Sequence, residues 1–327
     1  MNFFGKNFRV EIFGESHGPA VGVVIDGVKP GIPLTREDFA EDISRRKSGS
    51  RGTTPRLESD EPEILSGVFE GHTTGAPIAV LFRNTNTKSS DYEEFLNVPR
   101  PGHADWTASV KWGGMNDPRG GGHFSGRLTL PLVAAGVVAK KQCGFSFKAD
   151  LVEIGGEADK SKWDSLLADT AREGDSLGGV VECRIEGVPA GLGEPFFDSV
   201  ESLRSHAVFS IPGVRGIEFG DGFAAARMKG SNHNDPLSTE RPMLAKNGAG
   251  GVNGGITNGA PIVFRVAFKP TSSIAKTQKT LNVKTGEMVD LNVKGRHDVC
   301  FALRTPVIVE AVSAIVLAGL SMEKTTE

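Results

Sequence analysis

The 327-residue chain predicts an α+β fold built from two related halves, and three observations carry that prediction. Sliding the sequence by 160 positions lays Gly14-Glu15-Ser16-His17-Gly18 on Gly174-Asp175-Ser176-Leu177-Gly178, and the 20 positions from Gly14 to Pro33 then share 8 residues without a gap. A second match, G-x-T-x-G-A-P-I, relates Gly71–Ile78 to Gly255–Ile262 in the same order, 184 residues apart. Each half then runs strand, helix, strands, as a duplicated unit should. No Ser/Gly linker or low-complexity tract divides the halves, so one domain over 1–327 is expected, with a topological boundary between 1–150 and 151–327.

The elements follow in order. Ala20 to Ile25 and Gly179 to Ile185 are valine-rich, and Val181, Cys183 and Ile185 alternate with Glu182 and Arg184, which suits half-buried strands. Arg36 to Lys47 predicts a helix capped by Thr35, with Glu37 and Asp38 in its first turn and Arg45, Arg46 and Lys47 in its last. Asp198 to Phe209 is its weaker counterpart. Pro77 to Phe82 and Pro261 to Phe268 predict strands, while Leu132 to Lys141 and Val307 to Leu320 have helical length, Pro131 starting the former.

Composition limits function. Lys+Arg 37 against Asp+Glu 40 gives a net charge of −3, so no global positive field gathers nucleic acid, and any anion must be held locally. Cys143, Cys183 and Cys300 form no C-x-x-C, which argues against a disulfide framework or zinc ribbon and for a reducing, cytoplasmic setting. The most apolar stretch, Ala311 to Met322, is 12 residues, short of the ~20 that cross a bilayer, and predicts a buried helix. No membrane association and no secretion leader are expected.

The chemistry sits in loops. Gly14–Gly18 satisfies G-x-S-x-G, but a nucleophile elbow must lead into a helix, and here a strand follows; the copy at Gly174–Gly178 marks a repeated turn, so a serine hydrolase is disfavoured. That copy carries Leu177 where the first has His17, so the turn does not require histidine, and His17 is a functional candidate. Five cations between Arg45 and Arg56 fit either a solvated helix end or a lid that clamps a phosphate or carboxylate. Arg100-Pro101-Gly102-His103-Ala104-Asp105 gathers a cation, an imidazole and a carboxylate beside a rigid turn. Arg119 to Arg127 forms a triple-glycine loop leading into a helix, where backbone N–H groups can hold an anion. Lys269-Pro270-Thr271-Ser272-Ser273 ends a strand with a cation and three hydroxyls, and Gly295-Arg296-His297-Asp298 precedes the last helix. Neither standard nucleotide loop occurs, although Gly248–Asn253 misses one only at its last position, and no H-E-x-x-H or cysteine pair suggests a metal. Such loops in an acidic chain ask for small polyanionic ligands.

G-E-S-H-G, R-P-G-H-A-D, R-G-G-G, K-P-T-S-S and G-R-H-D, in this order over nearly the whole chain, resemble the chorismate synthase family. The resemblance implies a β-α-β sandwich with helices between antiparallel sheets, assembled as a homotetramer. It implies reduced FMN bound beside 5-enolpyruvylshikimate 3-phosphate, and a 1,4-elimination of phosphate giving chorismate without net redox change. By resemblance His17 protonates or stabilises the reduced flavin, His103 assists the departing phosphate, and Asp298 removes the ring proton with the flavin. Arg46, Arg51 and Arg127 match positions for anionic groups of the substrate or of NADPH, a candidate reductant source. His123, Phe124, Ser125, Pro212, Gly213, Gly254, Lys269, Pro270, Thr271, Ser272, Ser273 and Arg296 match cofactor positions. No second nucleotide-binding module fits, so an external flavin reductase is the expected supplier. Departures cluster at the flavin: His123 and Phe124 replace an arginine and a small hydroxyl residue, and Phe124 would stack on or crowd the isoalloxazine. They motivate the alternative of a catalytically impaired flavin- or phosphate-binding paralogue. A nucleic-acid binder using the Arg45–Arg56 cluster is the remaining rival, opposed by the negative charge and the lack of basic–aromatic interleaving.

Overall fold

The structure, a computed structural model, describes residues 2–49, 51–54, 58–85, 94–239, 244–293 and 297–323. The first half holds β1 (Phe3–Phe4), β2 (Arg9–Gly14), β3 (Ala20–Asp26), α1 (Ala40–Arg46), β4 (Glu63–Ser66), β5 (Val68–Phe69), β6 (His72–Thr73) and β7 (Ile78–Arg83). It closes with α2 (Asp105–Trp112) and α3 (Thr129–Cys143). The second half holds β8 (Ser146–Ile154), α4 (Trp163–Arg172), β9 (Gly179–Glu186), α5 (Val200–Val208), β10 (Val214–Phe219), α6 (Gly230–His233), β11 (Val252–Asn253), β12 (Ile256–Thr257) and β13 (Ile262–Phe268). The ribbon β14 (Gln278–Asn282) and β15 (Glu287–Leu291) precedes α7 (Pro306–Leu320).

The two main sheets are antiparallel and repeat one topology. The first is ordered β1-β2-β3-β7-β4 and the second β10-β13-β9-β8, so β2, β3, β7 and β4 correspond to β8, β9, β13 and β10. The threonine of G-x-T-x-G-A-P-I does the same work twice. Thr73 Oγ1 donates to Lys29 O (2.6 Å) and accepts from Ile32 N (2.9 Å); Thr257 Oγ1 donates to Pro189 O (2.7 Å) and accepts from Leu192 N (2.9 Å). Between the sheets lie α3, packed on β3 and β7, and α7, packed on β8 and β9, and the two helices also pack on each other. Both are apolar nearly all round, which is how a helix covered on every side reads in sequence. They cross where Gly136 meets Ala311: a Cβ at Gly136 would lie 2.3 Å from that of Ala311. One buried polar network ties the helix layer together. Glu310, 1% exposed, accepts from Arg45 (2.7 and 2.8 Å), from Lys140 (2.9 Å) and from the N–H of Ala149 (2.8 Å).

Two helix starts differ from expectation. Ahead of α1 runs a 3-10 turn, Glu37–Phe39, and Thr35 does not cap it; its N–H (2.7 Å) and hydroxyl (3.3 Å) both donate to Asp38, so the carboxylate takes the capping role. Pro131 is the third residue of α3, still inside the first turn where a missing N–H costs no intrahelical bond.

Candidate active site

A cavity of about 1040 Å³ opens where the loops preceding α3 and α7 face each other. Pockets for a small ligand span roughly 300–1,000 Å³, so this cavity stands at the top of that range. The Gly14–Gly18 turn forms one wall. Asn84 Nδ2 donates to Glu15 O (3.0 Å) and Gly18 O (2.8 Å), and Ser16 N donates to Gly122 O (3.1 Å), fixing the turn against the triple-glycine loop. His17, 6% exposed, lies directly beneath Gly120, whose φ is +60°. A Cβ there would stand 2.1 Å from His17 Nδ1, so only glycine lets the loop close over the imidazole.

The cations of the site are held by two carboxylates. Arg46, buried, donates from Nε to Thr129 Oγ1 (2.9 Å) and from Nη2 to Gly126 O (3.0 Å), and its Nη1 stands 3.5 Å from Asp60. Arg127 donates from Nε to Asn84 Oδ1 (3.0 Å) and from Nη1 to the same Asp60. Asp298 accepts from Thr54 N (2.7 Å) and from Arg304 Nη2 (2.7 Å). Burial, then the neighbouring Arg304, pushes Arg46 down to about 9, which leaves it charged at pH 7.

The third wall carries His103. Arg100 holds Asp105 through Nε and Nη2 (both 2.8 Å), and His103 Nδ1 is 3.7 Å from that carboxylate. Burial first, and Arg100 second, push the imidazole down to about 4. The unliganded site therefore holds His103 neutral at pH 7. Lys269 reaches across, donating to Gly102 O (2.7 Å), and Ser272 Oγ donates to the same oxygen (2.9 Å). The β14–β15 ribbon steadies this wall from outside, with Thr280 Oγ1 donating to Pro99 O (2.8 Å) and Val283 N donating to Asn97 O (2.8 Å).

The cavity brings together His17, His103, Asp298, Arg46, Arg127, His123, Phe124, Ser125, Pro212, Gly213 and the run Lys269, Pro270, Thr271, Ser272 and Ser273. Arg51 and Gly254 are not among its lining. Arg51 is turned to the surface by an ion pair with Asp164 (2.9 Å), and Gly254 follows β11 at a hairpin turn with φ +63°. Arg296 and Arg56 lie outside the described residues. Within the cation-rich segment Arg45 points into the core at Glu310, Lys47 donates to Ser59 O (2.8 Å), and of its described cations Arg46 and Lys47 line the cavity. Phe124 lies against Trp112, ring centroids 5.5 Å apart, and His123 Nδ1 donates to Gly14 O at 2.7 Å, so each has a protein partner. Sequence reasoning missed Asp60 and Arg304. The ESD run at 58–60 and a lone arginine before Thr305 carry no local signal; both acquire meaning only through partners more than sixty residues away or across a turn.

Fold and site together define an enzyme for a small-molecule substrate on a duplicated α+β sandwich, its cavity set at the starts of the two core helices. The class narrows at once by similarity. The family model for chorismate synthase matches residues 8–322. A chorismate synthase of Chitinophaga pinensis is 62% identical over 324 residues, covering 98% of this chain and 97% of that protein. One from Korarchaeum cryptofilum is 46% identical over 347 residues, covering 97% and 96%. A crystal structure of chorismate synthase superposes with a TM-score of 0.73 at 27% identity, covering 98% of this chain and 93% of that one. The chain belongs to the chorismate synthase family, lyases of aromatic amino-acid biosynthesis, and functions as a chorismate synthase. Nothing in the site or in these relatives favours a paralogue that has lost catalysis.

Proposed function

We propose that the cavity binds 5-enolpyruvylshikimate 3-phosphate beside reduced FMN and carries out the 1,4-elimination of phosphate that yields chorismate. The observation that carries this reading is the convergence of His17, His103 and Asp298 with Arg46, Arg127 and Lys269 around one cavity at the top of the small-ligand range. The substrate bears a phosphate and two carboxylates, which matches guanidinium and ammonium groups spread over three walls.

The residues present also fit a flavin. The Thr271 hydroxyl is buried without a hydrogen-bond partner, and so is Nε of Arg304, both in the cavity lining, so donors stand ready in the wall. The opposite stretch is apolar, formed by Phe4, Ile12, Ile211, Val312 and Ile315, as an aromatic ring system requires. When bound, reduced flavin supplies transient electron density that eases loss of hydrogen from an unactivated ring carbon. Lys269, Thr271, Ser272 and Ser273 would hold its polar groups.

His17, enclosed by Gly120, keeps a proton at the flavin. His103 is neutral in the empty site because burial and Arg100 disfavour its charge. A phosphate set between Lys269 and His103 reverses that balance, so the imidazole gains a proton when the leaving group needs one. Asp298, oriented by Thr54 N–H and Arg304, accepts the ring proton. Arg46 and Arg127 grip the anionic groups. A homotetramer in the cytoplasm, supplied with reduced FMN by an external flavin reductase and ultimately by NADPH, completes the proposal. Among the described residues no helix is long and apolar enough to cross a membrane. Supplying the enolpyruvyl substrate anaerobically with chemically reduced FMN should give chorismate; no product at high enzyme concentration would refute the reading.

A further inference from the structure

We infer that Asp60 is a positioning residue of this site, a buried carboxylate that holds Arg46 and Arg127 side by side for the substrate's anionic groups. The inference rests on the proposed role of those two arginines. Asp60 lines the cavity and is only 4% exposed. It bonds Nη1 of Arg127 and stands 3.5 Å from Nη1 of Arg46, so one side chain spans guanidiniums from α1 and from the loop before α3. Neither arginine can be aimed by its own element alone, because they arrive 81 residues apart in sequence (127 − 46) and carry like charge. Arg304 approaches the same group, and its charge and that of Arg127 both act against the charge on Arg46, while Asp60 and Asp298 act for it. Three cations against two carboxylates leave the cluster with one positive charge in excess, which an anionic ligand balances.

The backbone supports the assignment. Described non-glycine residues with φ in the left-handed region are Asp60 (+52°), Glu70 (+47°) and Phe196 (+63°). Asp60 alone of the three is buried; Glu70 lies exposed in a turn and Phe196 exposed at the start of a short 3-10 helix. A strained conformation kept at a buried, cavity-lining, doubly paired carboxylate is where such strain serves a site. Asparagine has the same shape and tolerates this region well, so Asp60→Asn removes the charge and spares the backbone.

The experiment measures steady-state kinetics of the full chain with reduced FMN, and inhibition by inorganic phosphate, for D60N, R127Q and the double variant. Positioning predicts that D60N raises KM at least tenfold with a smaller change in kcat, and weakens phosphate inhibition about as much. Simple charge neutralisation predicts the opposite sign, so tighter phosphate inhibition in D60N would overturn the inference. Since Asp60 acts through Arg127 as well as Arg46, the losses in D60N/R127Q should be clearly less than the product of the single losses; fully multiplicative losses would also overturn it. If D60N alone does not fold, phosphate inhibition of the double variant against R127Q carries the same comparison of sign, since the double variant restores the charge balance. An R127Q enzyme with unchanged KM and phosphate inhibition would instead refute the role of Arg127 itself, whereas loss in R127Q with none in D60N refutes only the role of Asp60.

Discussion

Replacing Gly120 with alanine tests whether the triple-glycine loop exists to seat His17. The added Cβ would lie 2.1 Å from Nδ1 and 2.2 Å from Cε1 of the imidazole, and 2.8 Å from Ser16 Oγ. Real contacts of this kind stop near 3.0 Å, so the ring must move by at least 0.9 Å (3.0 − 2.1). Displacing a reacting group by ~1 Å costs about 10²-fold in rate, and that is the loss expected in kcat. Gly120 also has φ +60°, so alanine there loses roughly 1–2 kcal/mol of stability from the backbone alone. Gly121→Ala separates the two effects. Its φ is +80°, so the backbone penalty is similar, but its Cβ would meet nothing nearer than His103 Cε1 at 3.6 Å, an ordinary contact. Both variants should melt earlier by a similar amount, and only Gly120→Ala should lose turnover. Anaerobic chorismate formation at saturating substrate, with thermal unfolding followed by circular dichroism, reads both quantities. A folded Gly120→Ala enzyme with full turnover would refute the argument, and so would an equal loss of activity in Gly121→Ala.

Three further outcomes follow from burial and packing. The His103 imidazole is pushed from its ordinary 6.5 down to about 4 by burial and Arg100, so below pH 6.5 the unfolded chain binds a proton that the fold excludes. Stability should therefore fall as pH drops from 6.5 towards 4, by about 3 kcal/mol from this residue in the unliganded protein, and urea titrations of His103→Gln should show a shallower decline. Gly136→Ala would normally favour a helix by ~1 kcal/mol, yet its Cβ would sit 2.3 Å from Ala311 Cβ and 2.5 Å from Ala311 Cα. A net destabilisation of about 1–3 kcal/mol in chemical denaturation is expected, and stabilisation would show that α3 and α7 separate freely. Burial pushes the Cys183 and Cys300 thiols up to about 12 and about 11, so a thiol reagent at pH 8 should leave both unlabelled until the protein unfolds.

The repeat was legible because its signals are local: paired glycine turns, a threonine that bridges two carbonyl-rich loops, and apolar runs of the right length. Leu132–Lys141 and Val307–Leu320 predict helices by their length, and their place between two sheets is implied by the family resemblance alone. What escaped is set by distance. The ribbon β14–β15 mixes polar and apolar residues without strict alternation, and its fully buried Leu291 packs with Phe95 and Val98, so its strand character depends on the segment that it braces. The Asp60 and Arg304 carboxylate and guanidinium have no motif of their own; each matters through a partner that only the folded chain supplies. Arg51, matched by resemblance to an anion-binding position, pairs with Asp164 of α4 at the surface and is not among the cavity lining.

A duplicated scaffold offers two equivalent walls, and here they have diverged in opposite directions. A similar tie, displaced by one residue, occurs in each half, Ser16 N to Gly122 O (3.1 Å) and Leu177 N to Val299 O (2.8 Å), so the turns before β3 and β9 both dock on the loops before α3 and α7. Their side chains differ. His17 faces the cavity under Gly120, while Leu177 packs where a Cβ on Gly155 would meet it at 2.9 Å. Arg46 of α1 and His206 of α5, which the 160-residue offset pairs, both line the cavity, but the first brings a buried guanidinium and the second an imidazole followed by Phe209 and Ile211. Two identical walls would suit two copies of one ligand. The first half contributes His17, Arg46 and Arg127 to the cavity, and the second contributes Lys269, Asp298 and Arg304 together with the apolar Ile211, Val312 and Ile315. Such unlike walls suit an anion lying against an aromatic ring system, and the proposed pairing of a phosphorylated dicarboxylate with a flavin has that character.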